Sequence, residues 1–136
     1  MGNTKSNNSG HAGDSGALIY VVDDEPMLLE LAAAILEPEG YHVKTFRDPE
    51  LALQSFTAAK PRPALLITDF AMHSMNGMQL IEHFRKLEPR QRILLISGTV
   101  GKEIFQDSPA RPDDFLAKPY QADQLTSAVK SLLTRK

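Results

Sequence analysis

The sequence predicts a doubly wound α/β domain built on a five-stranded parallel sheet. Three observations predict it. Residues 17–22 and 64–67 are short and apolar throughout, of a length and composition that suit strands buried on both faces. Segments that read as helices open on an acid followed by proline, in Glu25-Pro26 and Asp48-Pro49, a strong helix start. Strand-like and helix-like segments alternate five times, each crossover long enough for a right-handed βαβ unit.

Taken in order, residues 1–16 are rich in Gly, Ser and Asn and nearly free of apolar side chains, the composition of a disordered tail. Gly2 to Ser6 formally matches an N-myristoylation pattern, but one that needs only a Gly and a Ser, so it carries little weight. The first strand, 17–22, runs straight into Asp23, Asp24 and Glu25. In the helix that follows, Leu28, Leu31, Ala32 and Ile35 share one face. It should stop near Glu37, since Pro38 disfavours helix before it and Gly40 follows. Residues 41–46 mix apolar and polar side chains and suit an edge strand. The second helix, 51–59, should turn Ala52, Phe56 and Ala59 inward. Pro61 and Pro63 lead into the third strand, which ends at Asp69. Gly77 opens a helix with Leu80, Ile81, Phe84 and Leu87 on one side, and Pro89 ends it. Residues 92–96 form the fourth strand, closing on Ser97-Gly98. Pro109 and Pro112 restrict the next segment to about two helical turns. Residues 115–117 form a short fifth strand ending at Lys118-Pro119. The last helix, 123–133, should face inward through Leu125, Ala128, Val129 and Leu132. The layout is one domain over 17–136, with no internal repeat and no linker to a second domain.

Composition bounds the function. A chain of 136 residues with 42% hydrophobic side chains is long enough for one domain with a sizeable core. It lacks an apolar run of membrane-span length, a signal-peptide core and any cysteine, a set that suits a soluble, cytoplasmic protein. A net charge of −2 without a dense Lys/Arg cluster argues against nucleic acid as the direct partner.

Four strands end in polar groups: Asp23 and Asp24, Asp69, Ser97, and Lys118. With strand order 2-1-3-4-5 these side chains meet on one rim, beside the switch point between strands one and three. Singly, each has a plain structural explanation as a helix cap, a turn residue or a solvated charge. Their joint placement marks a site. Three carboxylates together repel by about 4 kcal/mol per pair at ~4 Å and moderate dielectric. Lys118 offsets one charge, and the remaining two suit a divalent cation. Oxygen ligands, with neither Cys nor an obvious His pair, favour Mg²⁺ over zinc. A magnesium ion beside a carboxylate, a lysine and a hydroxyl is equipment for phosphoryl transfer, with Asp69 the candidate nucleophile forming an aspartyl phosphate.

These pieces together, Val22-Asp23-Asp24-Glu25, Asp69 with Met72, Met75 and Gly77 behind it, Ser97-Gly98, and Phe115-Leu116-Ala117-Lys118-Pro119, resemble the receiver domain of two-component response regulators over about 17–133. The resemblance implies the flavodoxin-like receiver fold in the 2-1-3-4-5 order. It also implies a chemotaxis-regulator-like receiver, either a free-standing single domain or a piece of a larger protein, that takes a phosphoryl group from a sensor histidine kinase or histidine phosphotransfer protein. Asp69 is then the phosphoacceptor. Asp24, Asp69 and the backbone carbonyl of Ala71 hold Mg²⁺, with Asp23 assisting. Lys118 and the Ser97 hydroxyl contact the phosphoryl oxygens, Ser97 and Phe115 form the conformational switch, and the Lys118-Pro119 peptide is cis. Such a domain is no enzyme beyond promoting its own phosphorylation and dephosphorylation. It acts on a downstream protein target, with no direct nucleic acid and no membrane.

The chain departs from the pattern at His73, where the family usually has Pro. Its imidazole reads as solvated, with a titratable neighbour of the phosphate as the functional alternative. Met72 and Met75 read as adaptable packing. The short fourth helix, and Ala128 where dimerising DNA-binding relatives often place an Arg, lead to the expectation of a monomer. No output domain is expected after the last helix. Two rival readings remain: a receiver-like scaffold that never turns over phosphate, and a small aspartyl-nucleophile phosphatase resembling the haloacid dehalogenase family. The latter wants a second Asp where this chain has Ala71.

Overall fold

The computed structural model describes residues 16–58 and 62–135. Five strands, β1 (Leu18–Val22), β2 (His42–Phe46), β3 (Leu65–Asp69), β4 (Ile93–Ser97) and β5 (Asp114–Ala117), form one parallel sheet in the order β2-β1-β3-β4-β5. The helices are α1 (Pro26–Leu36), α2 (Pro49–Ala58), α3 (Gly77–Leu87) and α4 (Ala122–Thr134). This is the expected architecture and strand order. Residues 1–15 of the expected tail, and Ala59, lie outside the described residues. Gly16 is tied to the fold, its N–H donating to the Gly40 carbonyl at 2.8 Å.

Side chains alternate across a strand, so the apolar runs feed both faces of the sheet. Ile19, Val21, Leu65, Ile67, Leu94 and Ile96 pack against Leu29, Ala32 and Leu36 of α1 and Leu125, Val129 and Leu132 of α4. Tyr20, Val22, Leu66, Ile93 and Leu95 pack on the other side against Ala52 and Phe56 of α2 and Leu80, Ile81 and Phe84 of α3. β3 and β4 are buried throughout, whereas β2 is largely exposed and only Phe46 at its end is buried, as an edge strand should be.

Three expectations need correction. α1 buries Leu29, Ala32 and Leu36, while Leu31 is 43% exposed. The helix is apolar over more than half its circumference, so periodicity alone cannot select the inner face. Contact with α4 turns Leu28 and Leu31 toward a groove beside Lys118, Pro119 and Tyr120. Leu87 is 41% exposed, because the last turn of α3 runs past the edge of the core. The β4–β5 connection holds no two-turn helix; a single 3-10 turn, Lys102–Ile104, is all that forms before Pro109 and Pro112. In α4, Leu125, Val129 and Leu132 are buried as expected and Ala128 is half-buried.

Candidate functional site

β1, β3, β4 and β5 deliver their carboxyl ends to one rim, where the crossovers to α1, α3 and α4 diverge. Asp69 is the last residue of β3 and is buried. Its backbone is held by neighbours: the Thr68 hydroxyl donates to the Asp69 carbonyl at 3.0 Å, and Phe70 N–H donates to the Ile96 carbonyl at 2.9 Å. Gly77 then brings the N-terminus of α3 hard against this strand end. A Cβ there would lie 2.5 Å from the Asp69 carbonyl oxygen, so only glycine permits the approach. Asn76 completes the join as a capping box. Its side chain accepts from Gln79 N–H at 2.9 Å, and the Gln79 side chain accepts from Asn76 N–H at 2.8 Å.

Lys118 follows β5 and reaches back across the rim. Its Nζ lies 2.9 Å from Asp69 Oδ1 and 3.2 Å from Asp23 Oδ2. The other Asp23 oxygen accepts from Glu25 N–H at 3.0 Å, just ahead of the first turn of α1. Asp24 stands beside them, and one oxygen from each of Asp23, Asp24 and Asp69 lies within 4.8 Å of the others. Burial pushes the Asp69 carboxyl above its ordinary range, and the Asp23 charge adds to this against the hydrogen bond from Lys118. For Lys118, burial favours the neutral amine, but the hydrogen bond to Asp69 and the charges of Asp23 and Asp69 prevail and hold its pKa above the ordinary value. Three carboxylates facing one ammonium leave net negative charge in a cleft of hard oxygens. That donor set fits a small divalent cation such as Mg²⁺, which Asp23, Asp24 and Asp69 could hold between them.

The other expected residues lie on this rim or close to it, with different engagements. Ser97 ends β4 and is buried, but its Oγ accepts from Thr99 N–H at 3.1 Å and Val100 N–H at 3.0 Å. Gly98 lets Lys118 pass; a Cβ there would meet the Lys118 Cβ at 3.2 Å. Phe115 is half-buried on the α2/α3 side of the sheet, and its ring lies 6.0 Å from that of Phe105. Ala71 is exposed on the loop after β3. The Lys118-Pro119 peptide is cis. His73 is 94% exposed, with Nε2 3.4 Å from Asp24 Oδ2. Met72 and Met75 are half-buried against the α2/α3 core.

Sequence reasoning missed several contributors. Gly77 was legible as a helix start and not as the close approach to Asp69. Thr99, Val100 and Phe105 carried no motif at all. Met27, 80% exposed, and Leu31 form an apolar border to the rim that only the rotation of α1 reveals.

The family model for the response regulator receiver domain matches residues 19–130. The nitrogen assimilation regulatory protein NtrX of Azorhizobium caulinodans is 34% identical over 108 residues, which are 79% of this chain and 24% of that protein. The DNA-binding response regulator MtrA of Mycolicibacterium smegmatis is 29% identical over 118 residues, 86% of this chain and 50% of that protein. The chain thus spans only a quarter to a half of these curated relatives. Among solved structures, the CheY-like receiver domain protein of Methanospirillum hungatei matches at 27% identity and TM-score 0.80, over 88% of this chain and 94% of that one. The response regulator TrrA of Thermotoga maritima, solved with Mg²⁺ and BeF, matches at 31% identity and TM-score 0.77, over 85% of this chain and 98% of that one. Among the described residues, no helix is long and apolar enough to cross a membrane.

Proposed function

The chain belongs to the response regulator receiver domain family, and from that premise we propose that Asp69 accepts a phosphoryl group from a histidine on a kinase or phosphotransfer protein and that the domain signals by altered protein contacts. The observation that carries this reading is the Lys118 ammonium shared between Asp69 and Asp23, with Asp24 beside them. In the transfer, an Asp69 carboxylate oxygen bonds to phosphorus as the phosphorus–nitrogen bond of the phosphohistidine breaks, and the imidazole leaves with the bonding pair. Burial strips solvent from the Asp69 carboxylate, and Lys118 keeps a positive charge beside it that the transferred oxygens can share. Mg²⁺, when bound by Asp24, Asp69 and the Ala71 carbonyl with Asp23 assisting, supplies charge neutralisation for those oxygens. The Ser97 hydroxyl then moves to the phosphoryl group, and Phe115 turns inward behind it.

Beside Lys118, a groove of 340 Å³ is lined by Leu28, Leu31, Lys118, Pro119 and Tyr120, with Met27 exposed on the same helix. This apolar border next to the acceptor carboxylate suits docking of the phosphodonor protein. A phosphatase of the haloacid dehalogenase type is disfavoured, because Ala71 stands where its general acid would be. The domain is proposed to act as a monomer before and after phosphorylation, since the β4–β5 connection offers too little helical surface for a stable self-interface. Light scattering of the phosphorylated form should therefore show no dimer at micromolar concentration. The central test is treatment with acetyl phosphate and Mg²⁺, followed by mass spectrometry. One phosphoryl group should be added to wild type and none to Asp69→Asn; equal labelling of both would sink the assignment.

A further inference from the structure

The β4–β5 connection departs most from the rest of the fold, and its contacts point to a function. It leaves β4 through Ser97, whose Oγ accepts the amides of Thr99 and Val100. Glu103 then clips the chain through the Gly101 N–H, accepted at 3.0 Å. The 3-10 turn that follows delivers Phe105, half-buried, onto Phe115 with ring centroids 6.0 Å apart and planes tilted by 42°. Phe115 is the register partner of Leu95 on β4, two residues before Ser97, so the two ends of this connection lie on one face of the sheet. Ile104, next to Phe105, is 39% exposed and belongs to neither core cluster. The connection is held at its start by the Ser97 hydroxyl and in its middle by the Phe105 ring, besides the Glu103 clip, the packing of Ala110 on the α2/α3 core and the burial of Pro112.

We propose that Phe105 is a positioning residue that couples the phosphorylation state of Asp69 to the β4–β5 connection by latching onto Phe115. The coupling rests on the phosphoacceptor reading above. With Asp69 free, the Ser97 hydroxyl belongs to the connection and the Phe105 ring covers Phe115. A phosphoryl group at Asp69 offers acceptors to the Ser97 hydroxyl, and engaging them withdraws Oγ from the Thr99 and Val100 amides. Phe115 cannot turn inward while keeping its present contact with Phe105, so the second hold opens with the first. The stretch between those two holds has little else to retain it, its 3-10 turn being exposed throughout, and residues 99–105 become the segment that a downstream protein reads.

The latch exists in the free arrangement alone, so removing it should strengthen binding of any ligand that selects the phosphorylated arrangement. Fluorine NMR titration of beryllofluoride with Mg²⁺ reads this directly in wild type, Phe105→Ala, Phe105→Leu and Ile104→Ala. The aromatic pair is worth enough that Phe105→Ala should bind roughly three- to tenfold more tightly, with Phe105→Leu between it and wild type. Ile104→Ala should match wild type. Amide exchange adds a second readout: Thr99 and Val100 should exchange faster in Phe105→Ala and in beryllofluoride-bound wild type. Unchanged or weaker binding by Phe105→Ala, or an equal effect of Ile104→Ala, overturns the latch. Beryllofluoride binding that leaves the Thr99 and Val100 amides unmoved overturns the coupling and leaves the phosphoacceptor reading standing. Failure of wild type to bind beryllofluoride overturns both.

Discussion

Between β3 and β4 the chain passes through an 11-residue helix with a reciprocal capping box, a glycine fitted against the strand end, and three buried side chains, Leu80, Ile81 and Phe84. Between β4 and β5 it passes through one 3-10 turn whose residues are all exposed, held by a serine hydroxyl, a glutamate clip and one half-buried phenylalanine. Both connections join neighbouring parallel strands of the same sheet. The first fixes Asp69; the second lies beside Ser97 and Phe115, the proposed switch residues. Chemistry needs Asp69 held in one geometry, and every device around it removes freedom. Signalling needs an element whose arrangement a few kcal/mol can change, and on the proposed reading the second connection, with its exposed 3-10 turn, is that element.

The contrast can be broken most forcefully at Gly77. Gly77→Ala places a methyl group 2.5 Å from the Asp69 carbonyl oxygen, so backbone must shift. A loss of about 1–3 kcal/mol is expected in urea unfolding, the range of overpacking at a buried site. A loss under about 0.5 kcal/mol, the scale of an ordinary surface substitution, would mean the α3 junction is as yielding as the β4–β5 connection. Next comes the cation. Asp24→Asn removes one hard charged oxygen from the cluster and should weaken Mg²⁺ binding roughly tenfold or more by titration calorimetry. Lys118→Ala should cause no comparable loss, since it removes a competing cation from Asp69 and Asp23 and no ligand oxygen from the cluster; equal losses in both variants would contradict this division of labour between Asp24 and Lys118. Asn76→Ala removes the reciprocal cap of α3 and should cost about 1 kcal/mol by thermal unfolding. The smallest effect belongs to the second connection. Ile104→Ala and Pro109→Ala should each stay within about 0.5 kcal/mol of wild type, as exposed positions do. A cost as large as that of Asn76→Ala would show that the connection is held as firmly as α3.

Much of this was legible in the chain. The runs 17–22 and 64–67 announce buried strands because a parallel sheet covered on both faces leaves little place for a polar side chain without a partner. Asp48-Pro49 announces a helix for a local reason: the Asp48 carboxylate accepts from Glu50 N–H at 2.9 Å, and proline gives up no needed donor. The site was legible for a topological reason, since strand ends in a doubly wound sheet must converge. Less legible was how each side chain would be engaged. Ser97 reads as a phosphate contact, yet in this structure it caps the connection that follows. The rotation of α1, which exposes Leu31 and buries Leu36, is invisible to a helical wheel on which nearly every position is apolar.

The amino-acid sequence by itself determined the order of elements, their approximate limits and the five polar side chains at the strand ends. These follow from interactions between residues close in the chain: proline, glycine and acid signals, and periodicities of two and of about 3.6. Only the tertiary structure decided which acids share the Lys118 ammonium, which face of α1 turns inward, and what the β4–β5 connection becomes in place of a helix. Those outcomes depend on groups far apart in sequence: Lys118 with Asp23, Phe105 against Phe115, and Gly77 pressed on the end of β3. Their free energies arise only once the sheet has assembled and brought them within reach.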